Sequence, residues 1–292
     1  MDNTIAVGQR GVTGTPVGTK DWFRHSKNGK IQIRAHRDSM TAVNGVLLTL
    51  TVIAVVGFAT FDYKDINLAE AVASTFANVR TVFLRPHLTY DTFTGCLYQL
   101  LVTFCLGTLS TILGALAALF LSLLCAKNLS RPWVVSVTKS VVAVVRAIPT
   151  VLWVLIFAVT AGLGSVAAVI GLTFHSASYL TKAYAESIEE MDEGTIEALK
   201  ASGANFWQIV CQAVWPATIS YMVAWTFMRF EINFTNAVAM GAAAGAGGIG
   251  YNLFMAGNFY FDLREMGYLT YMIVIAVVLL ESVSTRIKAR VK

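Results

Sequence analysis

Between positions 241 and 250 the chain reads GAAAGAGGIG, and Gly245, Gly247 and Gly250 have the G-x-G-x-x-G spacing of a dinucleotide fingerprint. Such glycines cradle a pyrophosphate only after a strand, where they open a helix inside a βαβ unit. A carboxylate does follow at Glu265, twenty residues after Gly245, where a ribose would be held. Ahead of the run, however, lies a long apolar segment, and behind it no helix-then-strand pattern is visible. A second candidate, GTPVGTK from Gly14, has Thr19 rather than lysine after Gly18 and so is not a P-loop. No H-E-x-x-H, G-x-S-x-G or His/Asp cluster occurs, and His87 and His175 stand apart. Cys96, Cys105, Cys125 and Cys211 form no C-x-x-C pair, so they read as small buried hydrophobes rather than as metal or redox ligands.

The elements that would position these residues belong to a bilayer. Hydrophobic residues make up 56% of the chain, charged residues 13%, and the mean hydropathy is +0.63. Soluble chains average about a quarter charged, and a water-facing globule of 292 residues could not hide this much apolar surface. The first forty residues are polar and basic, without the apolar core and cleavage site of a signal peptide, so the N-terminal tail is expected to be flexible and to stay attached.

A membrane-crossing helix needs about 20 mostly apolar residues. Six segments qualify by eye: residues 42–61, 97–125, 133–161, 163–184, a stretch from 216 past 230, and 267–283. The third is interrupted by RAIP at 146–149. Between the first two, Val72, Phe76, Val79 and Phe83 recur at helical spacing, as in an amphipathic helix lying on a membrane surface or on the other spans. An even number of spans puts both termini on one side. With that side cytoplasmic, fifteen Lys or Arg fall inside and only Lys64, Arg80, Arg85 and Arg264 outside, as the positive-inside rule demands. The remaining three, Lys139, Arg146 and Arg229, fall in or near spans.

Charges and breaks within spans mark either packing or passage. Arg146, Arg229 and Glu231 would each cost roughly 3 kcal/mol facing lipid, so each is expected to face protein or water. An arginine there could favour entry of an anion, or could be held by Glu231 or Asn233. Glu231 would repel an anion and reads better as structural. Gly241, Gly245 and Ala246 fit small-x-x-x-small packing, and Gly247, Gly248 and Gly250 give backbone freedom at a bend. Together with Pro149, these interruptions are expected to border a translocation path.

Residues 182–200, KAYAESIEEMDEGTIEALK, hold six of the chain's seventeen acids on the side where loops are otherwise basic. Thr195 is a candidate N-cap, placing Glu197 near the positive end of a short helix. Gly203 can end that helix with a positive φ. Phe206, Ile209 and Val210 begin a second amphipathic stretch up to Pro216, which suits the first turn of the next span.

Here the residues carry a resemblance. Glu197, Ala198 and Gly203, with Pro216 thirteen residues after the glycine, are similar to the E-A-x-x-x-x-G coupling motif of ABC importer permeases. Leu199 stands where that motif usually has alanine, and Ala213, Val214 and Trp215 replace its usual tail. LCAKNLS from Leu124, RAIP from Arg146, AESIEEMD from Ala185, RFEIN from Arg229 and GAGGIG from Gly245 resemble, in order, the phosphonate permease branch. Thr235 departs from an arginine common there.

The resemblance implies an all-α polytopic protein of type I importer architecture. Its parts would be a tail (1–41), a first span (42–61), an external segment (62–94), a permease core (95–285) with a coupling loop (186–216), and a short tail (286–292). It implies that Glu197, Ala198, Leu199, Gly203 and Ala204 contact an ATPase. Arg146, Pro149, Arg229, Glu231, Asn233, Gly245, Gly247, Gly248 and Gly250 would border the path. The chain would bind no cofactor, ATP and Mg sitting on a partner ATPase dimer. An external binding protein and a second permease chain would complete the complex in a bacterial inner membrane. The competing class, an ion-coupled secondary transporter of a small anion, wants several intramembrane acids and an internal repeat, where this chain offers Glu231 and no visible repeat.

Overall fold

The structure, a computed structural model, describes residues 23–25, 31–33, 37–60 and 67–291. Most of the N-terminal tail, including the GTPVGTK run, lies outside the described residues. The chain divides into two units at Leu68. The first contains β1 (Phe23–His25) paired antiparallel with β2 (Ile31–Ile33), Phe23 opposite Ile33, and α1 (Arg37–Thr60). Its segment Met40–Thr60 has a mean hydropathy of 2.2 and no charge. Thr49, Thr51 and Thr60 turn their hydroxyls back onto carbonyls four residues earlier, which keeps them compatible with an apolar helix.

The second unit is wholly helical among its described residues. It comprises α2 (Leu68–Leu84), α3 (Phe93–Cys125), α4 (Pro132–Ala147), α5 (Thr150–Ala161), α6 (Ser165–Glu189), α7 (Glu193–Ala201), α8 (Phe206–Ile209), α9 (Trp215–Ala244), α10 (Ile249–Asn258) and α11 (Leu263–Val291). The six expected spans correspond to α1, α3, the α4–α5 pair, α6, α9 and α11. By length and apolarity alone, α1, α3 and α11 could each cross a membrane among the described residues, and α4 and α5, bent by 87°, pass the same test together as a broken span or a re-entrant loop. α6 and α9, at 25 and 30 residues, are long enough but not apolar enough by composition to join them, and several of their polar side chains are buried: Ser176, Ser178, Thr181, Thr218, Arg229 and Asn233.

The core is the contact of α3, α6 and α9, made close by small residues. A Cβ on Gly114 would come within 2.7 Å of the Ser176 side chain, and one on Gly107 within 3.1 Å of the Phe234 backbone. Lipid offers no hydrophobic drive between helices, so close van der Waals packing of this kind holds them. At one end, Glu265, 1% exposed, accepts the backbone N–H groups of Tyr90 and Asp91, tying α11 to the loop before α3. Asn252 of α10 donates to Asp91 at 2.7 Å in the same cluster. The α2 helix forms as its apolar spacing predicts. Val72, Phe76, Val79 and Phe83 are exposed, and its last turn meets α11, through Tyr271 Oη donating to the Phe83 carbonyl at 2.6 Å.

Candidate functional site

At the other end stands α7. Asp192, not Thr195, is its N-cap: Oδ1 accepts the Gly194 N–H at 3.3 Å and Oδ2 the Thr195 hydroxyl at 3.4 Å. An aspartate is the better cap and starts the helix earlier, so Glu193 occupies the first turn and Glu197 the second. The C-terminus follows the prediction. Gly203 has φ +83°, its N–H donates to the Lys200 carbonyl at 3.0 Å, and the Ala204 N–H donates to Leu199 at 3.0 Å. These two bonds form a complete Schellman motif.

Beyond it, Asn205 and Gln208 make a reciprocal capping box for α8. Residues Val210–Val214 then widen into a π-turn before Pro216 enters the first turn of α9. The wider turn relieves the clash a proline ring makes with the carbonyl four residues back. Ile196, 2% exposed, packs with Ile188, Ile209 and Val210, and Leu199 and Ala204 close over them. The opposite face exposes Glu197, Ala198 and Gly203, flanked by the exposed Phe206 and Trp207. The hairpin is therefore anchored by its apolar side and presents its E-A-x-x-x-x-G side outward.

Inside the bundle the span breaks are satisfied by side chains. At the α4–α5 bend, just before Pro149, Trp153 Nε1 donates to the Val145 carbonyl at 2.9 Å. Arg146 sits half-buried in the last turn of α4. Arg229, 2% exposed, donates from Nε to Ser176 Oγ at 3.0 Å and lies over the Tyr179 ring, with its centroid 5.2 Å away. Asn233 Nδ2 donates to the same Ser176 hydroxyl and to Thr111 Oγ1, both at 2.8 Å. Glu231 does not pair with Arg229; it meets Lys288 of α11 at 3.0 Å. Residues two apart lie on opposite faces of a helix, so the Arg229–Glu231 pairing considered from sequence is excluded by geometry, while Asn233, four along, shares Arg229's partner.

The glycine run does open a helix, α10, but a helix precedes it and α11 follows, so the βαβ context is missing. Gly245, at φ +60°, ends α9, and Gly247 and Gly248 reverse the chain. α10 folds back on α9 so closely that a Cβ on Gly241 would lie 2.7 Å from the Gly247 carbonyl oxygen. The free N–H groups at the start of α10 are already taken: Gly248 donates to Gln99 Oε1 at 3.1 Å and Ile249 to Thr103 Oγ1 at 3.0 Å. The roles of Gln99, Thr103, Ser176 and Lys288 were invisible in the sequence, since each acts across helices far apart in the chain.

A family model described as the binding-protein-dependent transport system inner membrane component matches residues 118–291, more than half of the chain and all of α4 to α11. The chain belongs to this family. The family's description makes its members inner membrane components of transport systems, and the long apolar helices of this chain fit that place. It is 34% identical over 152 residues to the phosphate-import permease PhnE of Mycolicibacterium smegmatis. It is 31% identical over 155 residues to the phosphite transport system permease PtxC of Stutzerimonas stutzeri. These matches take in 52% and 53% of this chain, but only 28% and 56% of the two relatives. The fold is shared with an inward-facing structure of the MetNI methionine ABC transporter, at TM-score 0.63 and 22% identity, over 70% of this chain and 100% of that one.

Proposed function

We propose that the chain is the transmembrane permease subunit of an ATP-driven, binding-protein-dependent importer of a phosphonate or a related small phosphorus oxyanion. The observation that carries this reading is α7, a short helix capped at both ends, seated on Ile196 and exposing Glu197 and Ala198. A surface lever needs those properties: rigidity within itself, a firm seat on the spans, and a free face for a partner. The partner is an ATPase dimer carrying the ATP and Mg; of the coupling residues, Glu197, Ala198 and Gly203 face it, while Leu199 and Ala204 seat the hairpin on the spans. An external binding protein delivers the anion, and a second copy of the permease supplies the other half of the path. The chain itself contributes no nucleotide site. Both termini face the cytoplasm of a bacterial inner membrane, as the fifteen-to-four charge asymmetry supports. The names of the relatives, which concern phosphate and phosphite, support the substrate class.

The path runs beside the broken elements, the α4–α5 bend at Pro149 and the α9–α10 reversal at Gly245, Gly247, Gly248 and Gly250. Arg146 faces the anion, Arg229 and Asn233 hold α9 against α6 and α3, and Glu231 fixes α11. Closure of the ATPase dimer draws two α7 hairpins together and opens the spans outward; hydrolysis reverses the motion. Proteoliposomes holding the permease, its ATPase and the binding protein test this with labelled methylphosphonate. Uptake should require internal-face ATP and vanish in Glu197→Lys and Gly203→Val. Uptake driven by an ion gradient without ATP, or unaffected by both substitutions, would overturn the reading.

A further inference from the structure

Between the end of α3, the middle of α4 and the last turns of α6 lies a cavity of about 200 Å³. That is smaller than the ~300–1,000 Å³ pockets that take drug-sized ligands, and it suits an ion with a few waters of ~30 Å³ each. Its apolar wall is Cys125 and Val142, and its polar wall is Lys139, Arg146, Lys182 and Glu186. Three cations thus face one acid.

We propose that this cavity is a binding site for a small oxyanion of the phosphate or phosphonate type, with Arg146 as its principal ligand and Lys182 and Lys139 as supporting charges. Lys139 is held by Glu189 at 2.8 Å and Lys182 by Glu186 at 3.4 Å. Among the described residues no ion pair engages Arg146. Nor is its guanidinium needed at the Val145 carbonyl freed by the α4–α5 bend, which Trp153 Nε1 already covers. A planar, permanently charged fork beside two ammonium groups is the donor set that binds tetrahedral oxyanions. Glu186 works against an anion, but its pairing with Lys182 tempers it. The site is separate from the Arg229 cluster, where the guanidinium is packed against Ser176 and Tyr179.

This inference rests on the importer reading only for the choice of a phosphorus oxyanion. The test is titration of the purified full chain in detergent, without ATPase or binding protein, with inorganic phosphate and methylphosphonate at fixed ionic strength. Calorimetry or ³¹P line broadening reports binding. Wild type should show one saturable site. Arg146→Gln and Lys182→Gln should each weaken it by about tenfold or more, the loss expected for a charge-assisted hydrogen bond. Arg146→Lys should recover part of it, and Arg80→Gln, exposed on α2, should leave it unchanged. Thermal midpoints of all four variants establish that they fold. Equal binding by wild type and a folded Arg146→Gln, or no saturable binding by wild type, would overturn the site. Binding that needs Arg146 alongside failed ATP-driven uptake would keep the site and remove the importer reading; uptake with Arg146-independent binding would do the reverse.

Discussion

Lys288 Nζ lies 3.0 Å from Glu231 Oε1, so the one acid of α9 is answered by a lysine on the last helix. The two side chains keep 28% and 24% of their surface, enough to be partly desolvated and not enough to be screened like a surface pair. Removing one partner leaves the other charge stranded between helices. Lys288→Met or Glu231→Gln should therefore cost about 1–3 kcal/mol, the range for an uncompensated polar group in such a place. The Glu231→Lys, Lys288→Glu exchange should recover most of it. Thermal unfolding of the detergent-purified chain measures this, and an exchange variant no better than the singles would show that the pair does not couple α9 to α11.

Gly203 tests the lever from its hinge. At φ +83° a side chain is strained by roughly 1–2 kcal/mol, and a β-branched one by more. No neighbour crowds the position, so packing adds nothing. Gly203→Asn should be nearly silent in ATPase stimulation, Gly203→Ala intermediate, and Gly203→Val severe, while global stability changes little because α7 lies at the surface. A flat series across these three would mean that the Schellman bend does not set the hairpin's geometry.

Much of this was legible in the sequence, and the pattern of misses has a physical cause. The helix–bend–helix ahead of Pro216, the break at Pro149 and the role of the glycines follow from local rules: a positive φ, a missing N–H, a small side chain. Asp192 was missed as the α7 cap because Thr195 also satisfies the capping rule, and only the seating of Ile196 selects the earlier start. The α10 helix was missed because ten residues without a charge or a clear period give no signal. Ser176, Gln99, Thr103 and Lys288 act over separations that no local pattern encodes, since each finds its partner only after α3, α6, α9 and α11 have packed.

Gly250 is the sharpest case of packing by absence. A Cβ there would collide with the Val238 carbonyl oxygen, and the α9–α10 reversal leaves the backbone no slack, since Gly241 is pressed against the same turn. Gly250→Ala should destabilise by several kcal/mol, at the upper end of overpacking costs of ~1–3 kcal/mol or beyond. Gly45→Ala and Gly57→Ala, where nothing lies within 4 Å, should cost little. Yield and thermal midpoint of the three variants separate the cases; a benign Gly250→Ala would mean that α10 sits further from α9.

The cluster joining α11 to the loop before α3 predicts a pH dependence. Thr89 Oγ1 donates to Asp262 Oδ2 at 2.7 Å, and the N–H groups of Arg264 and Glu265 donate to Oδ1 at 2.8 and 3.2 Å. The Thr89 hydroxyl, the largest influence, holds the Asp262 carboxyl below the ordinary carboxylate range; burial opposes it, and the Glu265 and Arg264 amides with the Arg264 charge add to the lowering. A depressed folded value means that the native state binds the proton less readily than the unfolded chain. The stabilisation is therefore complete above an ordinary aspartate pKa of about 4 and is lost as pH falls from there through the lower folded value. Thermal midpoints of the detergent-purified chain should fall with pH below that point. In Asp262→Asn the fall should be shallower, because the group no longer titrates, and the midpoint at pH 7 should be lower. Thr89→Val should let the carboxyl rise toward its ordinary value, so less Asp262-linked stability remains to be lost on acidification. A pH profile identical in wild type and Asp262→Asn would mean that this carboxylate does not fasten the start of α11 to the Thr89 loop.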